Sequence, residues 1–480
     1  MTESPVNPAS THFNLGALSP ALMALERILA TASLALLAPA CAPSVEMRPR
    51  PEVQSSGWRE QAPAAEAGPA RRPSLGAALG DAELQRLLER AASHNADVAA
   101  AAARVQRARA QLGIARASML PVVTGSAGIS RTETDNRGGS LFNFSQGFAG
   151  LDISYDIDLF GRHSASRRAG RARLAAAAFD RDATALVVET EVARAWVQLA
   201  ALADRIVLLD RNIGQARELD RIIAVRLRLG DATRVDTGLQ AIQVRQLEAE
   251  RLRLAESLAR TRNALAVLVG EEAPRFAVRE TGLSAFSVPD VAAVQPGELL
   301  VRRPDVRAAE ARIAAAEGDV AQARAAFLPR LRLSASALGQ AATLGGPLGA
   351  TLSIGSDLLA PIFNRRRLRG ELGVAAADQA ESVELYRGAL LEALAEAENG
   401  LSAVAHSSAR EAMLIDIVEE ARTTARLARL QYLEGEADLQ RVFDAEQLLV
   451  RAEDARAIAL QERLEAAIDL YKALGGAPRG

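Results

Sequence analysis

The sequence predicts a mainly helical protein, duplicated within one chain, whose halves each add a pair of strands patterned like those of a membrane β-barrel. Three observations carry this reading. Asn95-Ala96-Asp97-Val98 and Ala115-Arg116-Ala117-Ser118-Met119-Leu120-Pro121 are answered by Arg303-Pro304-Asp305-Val306 and Ala323-Arg324-Ala325-Ala326-Phe327-Leu328-Pro329, an offset of 208 at both places. Stretches of unusual length hold no proline and little turn chemistry. Between them lie runs of strict apolar–polar alternation. A period near 200 residues is far too long for a solenoid repeat and indicates two copies of one half-fold.

The chain begins with 22 residues that hold no Arg or Lys, a poor head for a signal peptide. From Met23 the pattern changes. Arg27 precedes an apolar run from Ile28 to Ala38, then Pro39-Ala40-Cys41, which is a charged head, a hydrophobic region and small residues before a cleavage point. The expected start is therefore Met23. The run is too short to cross a bilayer as a helix. Cys41 is the only cysteine, so no intrachain disulfide and no thiolate metal site can form. Its position resembles a bacterial lipobox, although Ala38 stands where leucine is usual, and the competing reading is an ordinary signal peptide that happens to contain a cysteine. Residues 42 to about 75 are rich in Pro, Ala, Ser and Arg without periodicity, as expected of an extended tether. The expected organisation is a leader and signal peptide (1–40), a lipid-anchored tether (41–75), a first repeat (76–270), a connector (271–297), a second repeat (298–476) and a tail (477–480).

The strands come next. Leu151, Ile153, Tyr155, Ile157 and Leu159 alternate with Asp152, Ser154, Asp156 and Asp158; nine residues reach roughly 30 Å, the height of a membrane strand. Val123, Gly125, Ala127 and Ile129 alternate with Thr124, Ser126, Gly128 and Ser130, Leu331, Leu333, Ala335 and Ala337 with Arg332, Ser334 and Ser336, and a fourth run covers 350–354. Four strands cannot close a water-filled barrel, and an open edge is not tolerated in lipid, so several chains must pool their strands. Pro121 and Pro329 mark the change from helix to strand.

Long helices follow each strand pair. From about Arg162 to Leu229 there is no proline, which makes a rod of roughly 100 Å if continuous. Gly230-Asp231 turns the chain, and a return helix runs to Val269 with Leu247, Leu254, Leu258, Leu265 and Leu268 at coiled-coil spacing. The second half repeats the plan over about 364–432, a turn at Glu434-Gly435-Glu436, and 437–474. A formal charge of −2 gives nucleic acid no electrostatic footprint. The four histidines are scattered, and no phosphate loop, nucleophile elbow or metal motif is present. No catalysis and no cofactor are expected.

Together these features resemble the TolC-type outer-membrane efflux channels, and most closely the lipoprotein branch, the NodT family, that serves resistance-nodulation-division (RND) pumps. The residues that carry the likeness are Leu299-Leu300-Val301-Arg302-Arg303-Pro304-Asp305-Val306-Arg307-Ala308-Ala309-Glu310 leading to Phe327-Leu328-Pro329, with Tyr155-Asp156-Ile157-Asp158-Leu159-Phe160-Gly161-Arg162, Pro361-Ile362-Phe363 and Gly80-Asp81. The likeness covers about residues 75–476. It implies a homotrimer: a twelve-stranded barrel in outer-membrane lipid and an antiparallel coiled-coil tunnel through the periplasm, docked on a periplasmic adaptor and an inner-membrane RND pump. It implies that Leu229, Gly230, Asp231, Ala232 and Thr233, with Glu434, Gly435, Glu436 and Ala437, are the tips an adaptor touches, although the glycines also suit plain helix-ending turns. Asp444 matches an acidic ring at the pore mouth, and Asp236 and Tyr432 match a carboxylate–phenol link that holds coils shut. Gln440 and Arg441 depart from the usual pattern. A type I secretion duct and a non-channel periplasmic scaffold are the competing functions; the lipobox and the Arg-Arg-Pro-Asp motif count against the first, and the unbroken alternation at 151–159 against the second.

Overall fold

The structure, a computed structural model, describes residues 43–51, 57–59, 74–136, 140–279, 281–289, 295–341 and 347–476. Cys41, the leader, most of the tether and the tail therefore lie outside the described residues. Apart from one extra short helix at the start, the helices and strands appear twice in the same order. In the first half, α1 (Leu75–Leu79), α2 (Ala82–His94) and α3 (Ala96–Ala117) lead to β1 (Val122–Asn136), β2 (Ser140–Ile157), α4 (Arg162–Leu229) and α5 (Arg234–Leu268). In the second, α6 (Pro296–Arg302) and α7 (Pro304–Ala325) lead to β3 (Arg330–Ala341), β4 (Leu348–Leu359), α8 (Arg365–Glu434) and α9 (Leu439–Ala473). Equivalent helices match in length: 22 residues for α3 and α7, 35 for α5 and α9, 68 and 70 for α4 and α8. The chain divides into two compact units.

One unit holds Leu112–Gly170 and Ala315–Ala380, with the N-terminal segment up to Arg48. Its centre is one antiparallel sheet in the order β1-β2-β3-β4. The register sorts the side chains by face, because alternate residues point to opposite sides. Val123, Ile153, Ala335 and Ile354 share one row, and Leu151, Ala337 and Leu352 belong to the next row on that face. Ile354 is 82% exposed and Leu352 75%. On the other face, Arg332 pairs across the sheet with Asp156 on one side and Asp357 on the other, and its Nε donates to Asp156 Oδ1 at 2.9 Å. The strands outrun the expected alternation at nearly every end, since backbone pairing continues where side-chain pattern fades. β2 is the exception at its C-terminal end, stopping at Ile157. Asp158 turns away to accept from the backbone N–H groups of His163 (3.0 Å) and Ser164 (2.8 Å) at the start of α4, and this capping holds its carboxyl below the usual carboxylate range although burial acts the other way.

The other unit holds Pro49–Gln111, Arg171–Ala314 and Glu381–Gly480. Its core gathers Leu75, Leu79, Leu84 and Leu87 around the fully buried Trp196, with Leu265, Leu464 and Ile468. The leucine ladder of α5 points inward as its spacing predicts: Leu247, Leu254, Leu258 and Leu265 are all buried. Each half closes on itself in the same way. Asn95 Nδ2 donates to Leu268 O at 2.8 Å, and Arg303 Nη1, at the equivalent point, donates to Ala473 O at 3.2 Å. Just beyond each return helix a glycine with positive φ, Gly270 or Gly475, lies against the backbone of His94 or Arg302. A Cβ on Gly270 would come within 2.3 Å of His94 O.

Arg303 does more than Asn95. Its buried guanidinium also grips Asp305 with two bonds (3.0 and 2.6 Å) and Glu396 with one (2.6 Å). Burial pushes the Asp305 carboxyl up, but Arg303 outweighs it and holds the carboxyl below its ordinary value. Such a group contributes stability above the unfolded carboxylate range and loses it as pH falls through the folded pKa. Arg303→Ala should lower stability by roughly 1–3 kcal/mol, less than for a sealed ion pair because both carboxylates keep some water. Urea titration of the detergent-solubilised protein should also show a shallower loss of stability below pH 5 in the variant than in the parent.

Candidate functional site at the hairpin tips

The α4–α5 and α8–α9 hairpins end in two turns built alike. Gly230 and Gly435 take the left-handed conformation, with φ of +83° and +80°, which costs a residue with a Cβ about 1 kcal/mol. Asp231 N–H reaches back to Arg226 O (2.9 Å) and Glu436 N–H to Gln431 O (2.8 Å), which satisfies carbonyls that the helix ends leave bare. Leu229, Asp231 and Thr233 are exposed, as are Glu434 and Glu436, whereas Ala232 and Ala437 are half-buried. Two acidic, solvent-facing turns therefore stand at the ends of the hairpins.

The helices that leave the turns are capped differently. Thr233 and Asp236 form a reciprocal capping box: Asp236 Oδ2 accepts from Thr233 N–H (2.7 Å) and Oγ1 (2.8 Å), and Thr233 Oγ1 accepts from Asp236 N–H (3.3 Å). On the other hairpin Asp438 accepts from Arg441 N–H at 3.1 Å. The structure does not bring Asp236 to Tyr432. The Asp236 carboxylate is engaged at its own helix end, and Tyr432 is buried in a small apolar cluster with Leu219, Ile223, Leu439, Val442 and Phe443. Over the Tyr432 ring lies the Arg226 guanidinium, 4.4 Å from its centre. Asp444 is exposed, and Gln440 Nε2 donates to its Oδ1 at 2.9 Å. Gln440 thus orients the carboxylate one turn further on. Half-buried Glu446 is a neighbour that sequence reasoning missed; burial pushes its carboxyl up against the pull of Arg429.

The N-terminal segment is fixed at its described points. Arg324 Nη2 donates to Val45 O at 2.5 Å. Gln379 bonds the backbone of Arg48 twice, through Oε1 (3.2 Å) and Nε2 (3.1 Å). In the second unit, Arg50 pairs with Glu310 (3.0 Å) and Arg59 N–H reaches Glu398. The only sequence signal for such a strap is the absence of helical periodicity.

The fold and the paired tips define a class: duplicated helical hairpins joined to a membrane-type sheet. A family model for outer membrane efflux proteins matches residues 87–271 and 295–476, one match per half. The chain belongs to that family. It is 34% identical over 414 residues to the pyoverdine export outer membrane protein OpmQ of Pseudomonas aeruginosa, covering 83% of this chain and 86% of the relative. Its fold is similar to that of the outer-membrane channel OprN, with a TM-score of 0.83 and 27% identity, covering 91% of this chain and 99% of that one. It is similar also to the open state of the MtrE outer membrane channel of Neisseria gonorrhoeae, with a TM-score of 0.81 and 28% identity over 91% of this chain and 98% of that one.

Asp236→Ala removes the capping box and should cost about 0.5–2 kcal/mol locally, a roughly two- to thirtyfold faster amide exchange over 233–237. Exchange in α2 should stay unchanged; hydrogen-exchange mass spectrometry reads both.

Proposed function

We propose that this chain is the passive outer-membrane duct of an RND-type tripartite efflux system, working as a homotrimer without catalysis or cofactor. The observation that carries the reading is the sheet. It has one apolar face exposed to the outside, one polar face lined by Asp152, Asp156, Arg332 and Asp357, and two unpaired edges, β1 and β4. Lipid forbids such edges, and three copies joined β4 to β1 would close a twelve-stranded barrel with a wet interior. A scaffold would leave this sheet without a purpose.

The exposed acidic tips suit a periplasmic adaptor, with Leu229–Thr233 and Glu434–Ala437 as the contact, and the inner-membrane pump beyond it supplies energy and selectivity. By their names the relatives serve export of pyoverdine or, in the toluene efflux pump protein TtgI of Pseudomonas putida, efflux of toluene, which supports small molecules as the cargo class. Lipid anchoring at Cys41 is supported by the strap. Val45 is tied to Arg324, six residues before β3 begins at Arg330, and the four residues back to Cys41 reach at most about 14 Å. An acyl chain on Cys41 would lie close to the barrel rim.

Native mass and planar-bilayer conductance test the duct. A trimer with small, cation-leaning conductance is expected; a water-soluble monomer without conductance would sink the reading. In that trimer three Asp444 carboxylates would converge on the axis, attract cations and narrow the mouth. Asp444→Ala should raise closed-state conductance and weaken its preference for cations. Cys41→Ser should abolish incorporation of radiolabelled palmitate yet leave trimers in the outer-membrane fraction, because the barrel itself anchors.

A further inference from the structure

The two repeats differ at the point where strand gives way to long helix. Leu159-Phe160-Gly161-Arg162 is answered by Ile362-Phe363-Asn364-Arg365 at an offset of 203. In the first copy Phe160 is half-buried and lines a small cavity with Met47 of the N-terminal strap. In the second, Phe363 is 99% exposed and Ile362 72%. Ile362 follows Leu358 by four residues, at most about 14 Å of chain. Leu358 is exposed on the sheet face that carries Leu352 and Ile354. The bare pair therefore extends the exposed apolar surface past the end of β4.

Charge follows at once. Arg365, Arg366, Arg367 and Arg369 stand against one carboxylate, Glu371, a net charge of +3 within eight residues of Phe363. All four arginines are exposed. Arg367 pairs with Glu371. The other three have no carboxylate partner among the described residues, and their steps of one and four place them within an arc of about 100° on α8. Leu368, outside that arc, is buried with Val320, Phe327 and Leu372. Helix stability does not account for this cluster: a helix start disfavours cations, and the first turn of α8 holds no acidic residue to offset them. At the position of Asp158, which caps α4, the second copy has Pro361. An apolar knob beside unpaired arginines, continuous with a lipid-type sheet face, matches the boundary between acyl chains and headgroups, where aromatic rings sink and long cations reach phosphate.

We propose that the junction from Ile362 to Arg369 is an interfacial foot that binds anionic phospholipid at the periplasmic rim of the barrel. Ile362 and Phe363 enter the acyl boundary, and Arg365, Arg366 and Arg369 take the phosphates. This rests on the duct reading above. Native mass spectrometry of the full-length, detergent-solubilised protein, titrated with phosphatidylglycerol and with phosphatidylethanolamine of the same acyl chains, tests it. A basic residue near an anionic surface is worth about fivefold in affinity, so phosphatidylglycerol should bind at least about tenfold more tightly. Arg365→Gln, Arg366→Gln and Arg369→Gln together should erase that preference, whereas Arg211→Gln, Arg221→Gln and Arg228→Gln, an equal change of charge further along α4, should keep it. Inorganic phosphate should not displace the lipid, because it lacks the acyl chains that Phe363 meets. Equal affinity of the parent for the two lipids would overturn the proposal, as would a preference that survives the triple change at the foot or yields to free phosphate. Retention of the parent on purified peptidoglycan sacculi with no preference between the lipids would assign the arginines to the cell wall, and also overturn it. If the triple variant fails to assemble, Phe363→Ser decides: it should weaken phosphatidylglycerol binding at least about threefold, and parental affinity would sink the foot. A parent chain that is water-soluble without detergent would instead remove the duct reading.

Discussion

A sheet of four strands with an apolar outer face cannot stand alone in a membrane. Every second residue on its two edges keeps a backbone donor and an acceptor that lipid will not satisfy, at several kcal/mol apiece. β1 and β4 are those edges, and nothing in the chain covers them among the described residues. Much else follows from closing them with further copies. Four strands per copy fix the barrel size, and the polar side chains must line water. Each strand must be tilted and long, and indeed β2 runs to 18 residues. The exposed isoleucines and leucines that would be a liability in a soluble protein become the lipid-facing belt.

The duplication solves the complementary problem of holding long helices in register. A coiled hairpin of 68 and 35 residues has nothing in its repeating pattern to forbid a slip by one heptad. Each half prevents that at its root, where the residue before a short helix bonds to the last turn of the return helix and a glycine allows the backbones to touch. The two copies have diverged in how they do this. Asn95 makes a neutral bond and caps its own helix, with Oδ1 accepting from Asp97 and Val98. Arg303 makes a charged knot that ties in α8 as well. A charged bond is the stronger of the two but titrates, so acid should loosen the second half before the first.

The fold was largely legible because its rules are periodic. Leucines at heptad spacing on α5 announced a buried seam, and the absence of proline from Arg162 to Leu229 matched the helix limits. Alternation revealed the strands but not their full length, since β1 beyond Ile129 is held by pairing with β2 and not by its own pattern. The tips were legible as turns because glycine after a helix has few other uses. Their side-chain partners were not. In this chain the Asp236 carboxylate is held by Thr233, three residues before it, a bond that needs no long-range folding to arrive. Arg226 looked like one more charge on a helix rich in arginine. Its place over the Tyr432 ring, about two hundred residues away, has no signature in the sequence.

A duct without a cofactor must draw its opening energy from whatever binds its tips. To turn a population that is 99% closed into one that is 99% open, the adaptor must prefer the open form by about 5.5 kcal/mol. Six tips in a trimer would each need to contribute roughly 1 kcal/mol, the scale of one exposed charge pair or hydrogen bond. No single strong contact is required of turns that carry Leu229 beside small and acidic residues at their surface. The sum arrives together only if tips move in concert. Many small affinities must therefore act together if the duct is to open at all.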